Sequence, residues 1–201
     1  MDLLDYWVKK LSKYSTEDWA QKPNIFATEV VKYFPKTGKL LELGAGVCQD
    51  SLYFSSLGYS VTASDFIPSP DKHPEFDYTV IDLNYPIPFD RNSFDIVYCH
   101  LGMHFFTIER TVQIFNEILN ILKPNRIFCA TFNSAEDPEI SKSIKIDTDY
   151  YQTPSGLTKR FFSPESLKQM LPKEFKILLL DDNGKTIKDG DGKLVRLVCQ
   201  K

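Results

Sequence analysis

The residues best suited to ligand chemistry lie around a short glycine turn. Gly44 and Gly46 follow the apolar run Leu40–Leu43, and Gln49 begins a stretch with helical periodicity. Glycine-x-glycine between a strand and a helix lets the backbone approach a ligand closely, and the helix directs its free N–H groups at that ligand. Taken alone, the pattern is also typical of a tight turn that binds nothing.

Two residues beside the turn indicate what kind of ligand it takes. A dinucleotide fingerprint, G-x-G-x-x-G, needs a third glycine where this sequence has Gln49. Glu42, two residues before the first glycine, supplies a carboxylate that can order the turn and hold an ammonium group. The turn therefore favours a ligand with an amino-acid end. The alternative is that the turn binds a dinucleotide and that the protein is a nucleotide-dependent oxidoreductase.

Two further acids end predicted strands. Asp65 follows the strand-like run 59–64, and Asp82 follows the run 78–81. Open α/β sheets bind ligands at the carboxyl ends of their strands, where Asp65 can accept both hydroxyls of a ribose. Asp82 can accept from an adenine amino group while the backbone N–H of Leu83 meets the ring. Each acid alone is also typical of a cap or a solvated loop, but the ordered set predicts a nucleoside site.

The elements that position these residues alternate between strand and helix from Lys39 to Phe132. Residues 1–34 show helical spacing interrupted at Pro23, and the polar segment 181–192 joins two apolar runs as a hairpin with a long tip. We predict one α/β domain over residues 1–201, a Rossmann-like three-layer sandwich. Its mostly parallel seven-stranded sheet is finished by the antiparallel C-terminal hairpin.

These motifs resemble the class I S-adenosylmethionine-dependent methyltransferases over roughly residues 35 to 200. The resemblance rests on Leu41–Gly46, Asp65, Asp82, Phe94–Val97, Leu122–Pro124 and the final hairpin. Within the class, Asp50–Tyr53 and Val80–Asn84 are similar to the small tellurite-resistance-type methyltransferases. The resemblance implies methyl transfer from S-adenosylmethionine to a small-molecule acceptor. It also implies a cofactor site formed by Glu42, Gly44, Ala45, Gly46, Asp65, Phe66, Asp82, Leu83 and His100.

The sequence departs from that family's pattern at three places. Cys48 stands where many members have a third glycine, and Asn125 replaces the usual glycine after Lys-Pro. Asn tolerates the left-handed conformation that such a turn requires. The segment between Asp65 and Asp82 is short and carries three prolines, which predicts that the helix between those strands is missing or degenerate. A cofactor-binding protein without catalysis therefore stays open as a further alternative.

The acceptor side begins at the end of the fourth predicted strand. His100 and His104 are four residues apart, but Gly102 interrupts a helix there, so we predict no metal site. His104 is the candidate catalytic residue, as a general base or as a polar part of the pocket wall.

Two segments of the chain are candidates for covering the site. Residues 133–162 lack periodicity and predict a lid or acceptor-binding insertion, in which Lys159-Arg160 favours a solvated pair over an anion clamp. The helices of residues 1–34 form a cap over the cofactor or pack on the sheet.

The composition limits the kinds of partner that we expect. A net charge of −3 and a pI near 5.7 do not provide the excess of positive charge that binds nucleic acid or an anionic membrane. Four cysteines without a C-x-x-C pair indicate reduced thiols, and the acidic N-terminus lacks the order of a secretion signal. We expect a cytoplasmic monomer or homodimer.

Overall fold

The structure is a computed structural model that describes residues 3–69, 73–186 and 192–201. The N-terminal segment contains helix α1 (Leu3–Tyr14) and helix α2 (Ile25–Val30), with short 3-10 turns after each. Pro23 lies between the helices, as the sequence predicts. None of the helices in the described ranges combines the length and apolar character needed to span a membrane.

Strands and helices then alternate along the chain. The first part contains β1 (Lys39–Leu43), α3 (Gln49–Ser56), β2 (Ser60–Asp65), β3 (Asp77–Val80), β4 (Phe94–His100), α4 (Ile108–Ile121) and β5 (Leu122–Asn133). A 3-10 turn (Pro138–Lys142) follows, and then β6 (Ile144–Asp147), β7 (Tyr150–Gln152), β8 (Thr158–Arg160), α5 (Pro164–Met170), β9 (Lys176–Lys185) and β10 (Lys193–Gln200).

Seven of these strands form the central sheet, in the order β3-β2-β1-β4-β5-β10-β9. Strands β1 to β5 are parallel to one another, and β10 is antiparallel to both β5 and β9. The predicted Rossmann-like architecture with an antiparallel C-terminal strand pair is confirmed. Because the first five strands are parallel, their carboxyl ends meet at one edge of the sheet.

Apolar side chains cover both faces of the sheet. Leu41 of β1 and Val97 of β4 belong to a buried cluster that includes α4 and α5, whereas their neighbours Leu40 and Ile96 belong to a second cluster with α2 and α3. Successive strand residues point to opposite faces, so nearly continuous apolar runs bury both sides and produce three layers.

Three boundaries bear on the predictions. Strand β5 begins at Leu122, so it includes the Lys-Pro-Asn turn, and Asn125 adopts the left-handed conformation (φ 60°) expected of it there. Strand β9 extends to Lys185, so the first part of the predicted hairpin tip pairs with β10, and residues 187–191 lie outside the described residues. Residues 66–69 and 73–76 contain no helix, as predicted.

Residues 133–162 contain a small β-sheet that the sequence does not predict. Strands β6, β7 and β8 make a separate antiparallel sheet. Its base is closed where the Phe162 N–H donates to the carbonyl of Asn133 (2.8 Å) and the Ala135 N–H donates to the carbonyl of Phe162 (2.8 Å). The insertion is therefore anchored at the carboxyl end of β5, on the same edge as the candidate site.

A buried carboxylate stabilises the opposite edge of the sheet. Asp95, at the start of β4, accepts from the Lys39 N–H (3.0 Å), from Lys123 Nζ (2.7 Å) and from Arg126 Nε (2.9 Å). Burial alone would raise the pKa of Asp95, but the hydrogen bonds from Lys123 and Lys39 and the nearby Arg126 outweigh it and lower the pKa. Asp95 thus joins the starts of β1, β4 and β5.

We predict that Asp95→Asn lowers the free energy of unfolding by about 1–2 kcal/mol at neutral pH, because charge-assisted hydrogen bonds are lost beside partly exposed partners. Since the folded-state pKa lies below the ordinary value of 3.8, the contribution is complete above that value and disappears as the pH falls below it. Urea unfolding of both proteins across pH measures the difference. A difference that persists unchanged at the lowest pH would contradict this assignment.

Candidate functional site

The turn after β1 has three residues in the left-handed conformation. Gly44 (φ 72°), Gly46 (φ 56°) and Cys48 (φ 61°) all adopt it, and among these only Cys48 has a side chain that disfavours a positive φ. A Cβ atom on Gly44 would lie 3.2 Å from the Cα of Gly102, in the turn after β4. The two turns therefore pack backbone against backbone, which leaves the edge of the sheet open for a ligand.

Asp65 joins the ends of β1 and β2. Its Oδ2 accepts from the Gly46 N–H (3.0 Å), and its Oδ1 accepts from the Ile67 N–H (3.2 Å). Burial raises the pKa of Asp65, although these backbone hydrogen bonds oppose the rise. Each carboxylate oxygen can accept a second hydrogen bond, so Asp65 holds the turn and can still accept from a ligand.

Two further carboxyl groups, those of Glu42 and Asp50, lie beneath the turn. Glu42 is 2% exposed and accepts from the Ser51 hydroxyl. Burial, and then the neighbouring Asp50 carboxylate, raise the pKa of Glu42 well above its ordinary range. Asp50 accepts from the Tyr98 hydroxyl (2.7 Å) and from the backbone (2.7 Å) and side-chain (2.8 Å) N–H groups of Asn24. Sequence reasoning had not assigned Asp50 this role, because its partners are remote in sequence.

The turn after β3 is held from α4. Asp82 Oδ1 accepts from the backbone (2.8 Å) and side-chain (2.9 Å) N–H groups of Asn84. The carbonyl of Leu83 accepts from Arg110 Nε (2.6 Å), and Arg110 forms an ion pair with Glu117 (2.7 Å). The sequence analysis missed Arg110, since a side chain that binds backbone carbonyls leaves no motif.

The two histidines differ in their surroundings. His100 ends β4, and its Nδ1 lies 2.8 Å from the Thr131 hydroxyl. His104 is 4% exposed, and its Nδ1 has no hydrogen-bond partner within the described part of the chain. Burial lowers the pKa of His104 well below its ordinary range, and the positive charge of Lys159 and the neighbouring His100 lower it further. His104 is therefore a neutral imidazole at physiological pH.

The insertion supplies the other side of the site. Asn133 is 8% exposed, and its Nδ2 finds no partner in the described ranges. Lys159 pairs with Glu139 (2.9 Å). The Arg160 N–H donates to the His104 carbonyl (2.7 Å), and its guanidinium is buried and donates to a backbone carbonyl. The predicted solvated Lys-Arg pair is thus wrong for Arg160, because β8 packs against the loop after β4.

Helix α1 lies over the opening. A Cβ atom on Gly46 would lie 3.6 Å from Leu11 Cδ2, and the Trp7 ring centroid lies 5.6 Å from that of Phe105. No residue of α1 is buried. The helix therefore contacts both the turn after β1 and the loop after β4 without being part of the core.

These elements enclose one cavity of about 930 Å³. Its lining brings together every residue that the sequence assigns to the cofactor or to catalysis: Glu42, Gly44, Ala45, Gly46, Asp65, Phe66, Asp82, Leu83, His100 and His104. Residues of α1 and of the insertion complete the lining. No group of three or more His, Cys, Asp or Glu side chains within the described residues is arranged to hold a metal ion.

The cavity is lined by more acidic than basic groups. The ionisable groups of opposite type in its described lining are the carboxyl groups of Glu42, Asp50, Asp65, Asp82 and Glu139 and the ammonium groups of Lys10 and Lys159. Such a lining attracts a cationic ligand and repels a pyrophosphate.

Comparison with known proteins locates a family domain in this region. Residues 41–130 match the family model described as a methyltransferase domain. That range contains the turn after β1, both strand-end acids and the two histidines. A search among curated proteins finds no significant match to the chain.

Solved structures share the fold at low sequence identity. A Burkholderia thailandensis 1,6-didemethyltoxoflavin-N1-methyltransferase, solved with 1,6-didemethyltoxoflavin and S-adenosylhomocysteine, is 16% identical, with a TM-score of 0.72 over 100% of this chain and 85% of that one. A Methanosarcina mazei S-adenosylmethionine-dependent methyltransferase is 18% identical, with a TM-score of 0.66 over 86% and 96% of the respective chains. The methyltransferase partner in a Haloferax volcanii complex with the activator Trm112 is 14% identical, with a TM-score of 0.69 over 100% and 98%. Residues 41–130 are therefore similar to a methyltransferase domain, and the chain as a whole shares the Rossmann-like fold of these solved methyltransferases.

Proposed function

We propose that the protein binds S-adenosylmethionine in this cavity and transfers its methyl group to a small-molecule acceptor. The observation that carries the proposal is that a single cavity joins the strand-end acids to His104 and the insertion. Its volume of about 930 Å³ lies near the upper end of the roughly 300–1,000 Å³ typical of small-molecule sites. A cavity of this size accommodates a cofactor and a small acceptor together.

The residues at the first three strand ends fit the cofactor. Glu42 offers a buried carboxylate to its ammonium group, and Gln49, whose buried Nε2 has no partner in the described residues, offers an N–H to its carboxylate. Asp65 would accept from the ribose hydroxyls, and Asp82 with the Leu83 N–H would meet the adenine. Phe66 and the turn Gly44–Gly46 complete the cradle.

The chain's contribution to the reaction is alignment and exclusion of water, since S-adenosylmethionine, when bound, supplies an activated methyl group. We propose that α1 acts as the cap over the cofactor and that residues 133–162 hold the acceptor. His104 and Asn133 would lie on the acceptor side, whereas Glu42, Asp65 and Asp82 would lie on the cofactor side. The excess of carboxylates in the lining disfavours the oxidoreductase alternative, because NAD carries an anionic pyrophosphate.

Calorimetric titration tests the cofactor assignment. We expect micromolar binding of S-adenosylmethionine and S-adenosylhomocysteine and no binding of NAD. Asp65→Ala removes the ribose partner and the link to Gly46, and should abolish measurable binding. Asp90→Ala, an exposed acid outside the cavity lining, serves as the matched control and should bind like the natural protein.

Two results would contradict the proposal, and each would favour a different function. Binding of NAD alone would assign the protein to the oxidoreductases. Tight binding of S-adenosylmethionine without turnover of any acceptor would favour a cofactor-binding protein without catalysis.

Trp7→Ala distinguishes a cap from a structural helix. Because α1 contributes no buried residue, we expect a loss of stability below about 1 kcal/mol, together with an affinity for S-adenosylhomocysteine that falls about fivefold or more. Thermal unfolding and calorimetry measure the two quantities. If stability fell by about 3 kcal/mol, as for a core residue, with affinity unchanged, α1 would be a core element.

His104→Ala should leave the affinity for S-adenosylhomocysteine nearly unchanged and lower turnover by roughly 100-fold, if His104 receives or orients the acceptor's proton. Since burial lowers the pKa of His104 well below 6.5, the active neutral form persists from neutral pH into the mildly acidic range. The acidic limb of kcat/KM should therefore lie well below pH 6.5 and disappear in His104→Ala. Unchanged turnover in the variant would refute the role.

A further inference from the structure

We propose that the acceptor is a neutral, planar ring that carries a carbonyl group beside the ring N–H that is methylated, held by Asn133 and His104. This inference rests on the proposed function and names the substrate class of the same cavity.

Two unpaired nitrogens define what the acceptor must offer. Asn133 Nδ2 and His104 Nδ1 are both buried, both belong to residues that line the cavity, and neither has a partner in the described residues. Buried polar atoms are nearly always hydrogen-bonded in native structures. A carbonyl oxygen of the ligand would accept from Asn133, and an adjacent N–H would donate to His104 Nδ1. Such a ligand selects the imidazole tautomer that carries its proton on Nε2.

The charges around the acceptor side disfavour an anion. Lys159 is already paired with Glu139 (2.9 Å). The other lining ammonium, Lys10, lies over the rings of Tyr6 and Tyr14, at 5.9 and 5.4 Å from their centroids. The buried Arg160 guanidinium is not part of the lining, and it lies over the Tyr150 ring at 5.0 Å from the centroid. Since both lining ammonium groups are engaged and acidic groups outnumber them, a carboxylate or metalloid oxyanion would meet no free positive side chain in the described lining of the cavity. The cavity therefore fits a neutral acceptor.

Aromatic side chains indicate a flat ligand. Trp7, Phe105, Phe106 and Tyr150 all line the cavity, and the first two are in edge-to-face contact. The Tyr150 hydroxyl lies 3.4 Å from the Phe105 carbonyl, which joins the insertion to the loop after β4. Rings of this kind bury planar groups by stacking and edge contacts.

The surroundings of His104 also restrict the nucleophile. Burial, Lys159 and His100 all oppose a positive charge on this imidazole and lower its pKa, so it is a weak base. An N–H beside a carbonyl is acidic enough to be methylated without a strong base. The acceptor nitrogen would form the bond to the methyl carbon while the carbon–sulfur bond breaks and leaves its electron pair on sulfur. The proton would leave the nitrogen through His104 Nδ1 to solvent.

Lumazine, a pteridine with carbonyl groups beside ring N–H groups, is the probe. We expect it to bind the protein loaded with S-adenosylhomocysteine, as measured by its fluorescence, and to be methylated when S-adenosylmethionine is supplied, as measured by mass spectrometry. Asn133→Leu and Asn133→Asp both remove the donor and should weaken lumazine binding at least about tenfold. Asn120→Leu, an exposed asparagine of α4, is the matched control and should bind normally.

The affinity for S-adenosylhomocysteine is measured on every variant. It tests the proposed cofactor site separately from the acceptor class, and a normal value shows that the variant is folded. Unchanged lumazine binding in both Asn133 variants would overturn the role of Asn133. Methylation of benzoate, thiophenol or tellurite, with no lumazine binding, would overturn the acceptor class and leave the proposed function standing. Failure of the natural protein to bind S-adenosylhomocysteine would refute the proposed function and this inference with it.

Discussion

The structure depends on a cluster of carboxyl groups at the carboxyl edge of the sheet, where Glu42 and Asp50 are buried. Glu42, Asp50 and Asp65 lie together there, and their hydrogen bonds come from neutral groups: the hydroxyls of Ser51 and Tyr98, the amides of Asn24 and the N–H of Gly46. Neutral donors solvate a carboxylate without cancelling its charge, so neighbouring carboxylates keep repelling one another. The proposed cofactor, which carries an ammonium and a sulfonium group, would relieve this repulsion, so electrostatics as well as shape supports that proposal.

The opposite edge shows the contrast. Asp95 is buried like Glu42 and Asp50, but Lys123 and Arg126 compensate its charge. Asp95 therefore stabilises the fold without a ligand. The sheet thus has one edge where cationic side chains compensate a buried carboxylate and one edge where the carboxyl groups have neutral donors. Asp50 links the carboxyl edge to the N-terminal segment through Asn24, and α1 then crosses the opening to contact Gly46 and Phe105. The turn after β1, the N-terminal segment and the loop after β4 are therefore mechanically connected.

The sequence predicts the sheet and the position of its strand-end acids well, because both follow from local order along the chain. Apolar runs of strand length mark β1 to β5, and Glu42, Asp65 and Asp82 stand at or near their ends, so parallel topology alone brings these acids together. The insertion was predictable as an irregular segment but not as a sheet, since β7 and β8 have three residues each and β6 is exposed throughout. The partners of Asp50 and the contact of Gly44 with Gly102 depend on residues far apart in sequence, which periodicity cannot identify.

A crystal structure with S-adenosylhomocysteine would show whether this cavity is the cofactor site. The account predicts the amino-acid end of the ligand at Glu42 and the turn Gly44–Gly46, the ribose on Asp65 and the adenine beside Asp82 and Leu83. Its sulfur should face the space lined by His104 and Asn133, beneath α1. A ligand bound outside this cavity, or one with its sulfur directed away from His104 and the insertion, would contradict the account.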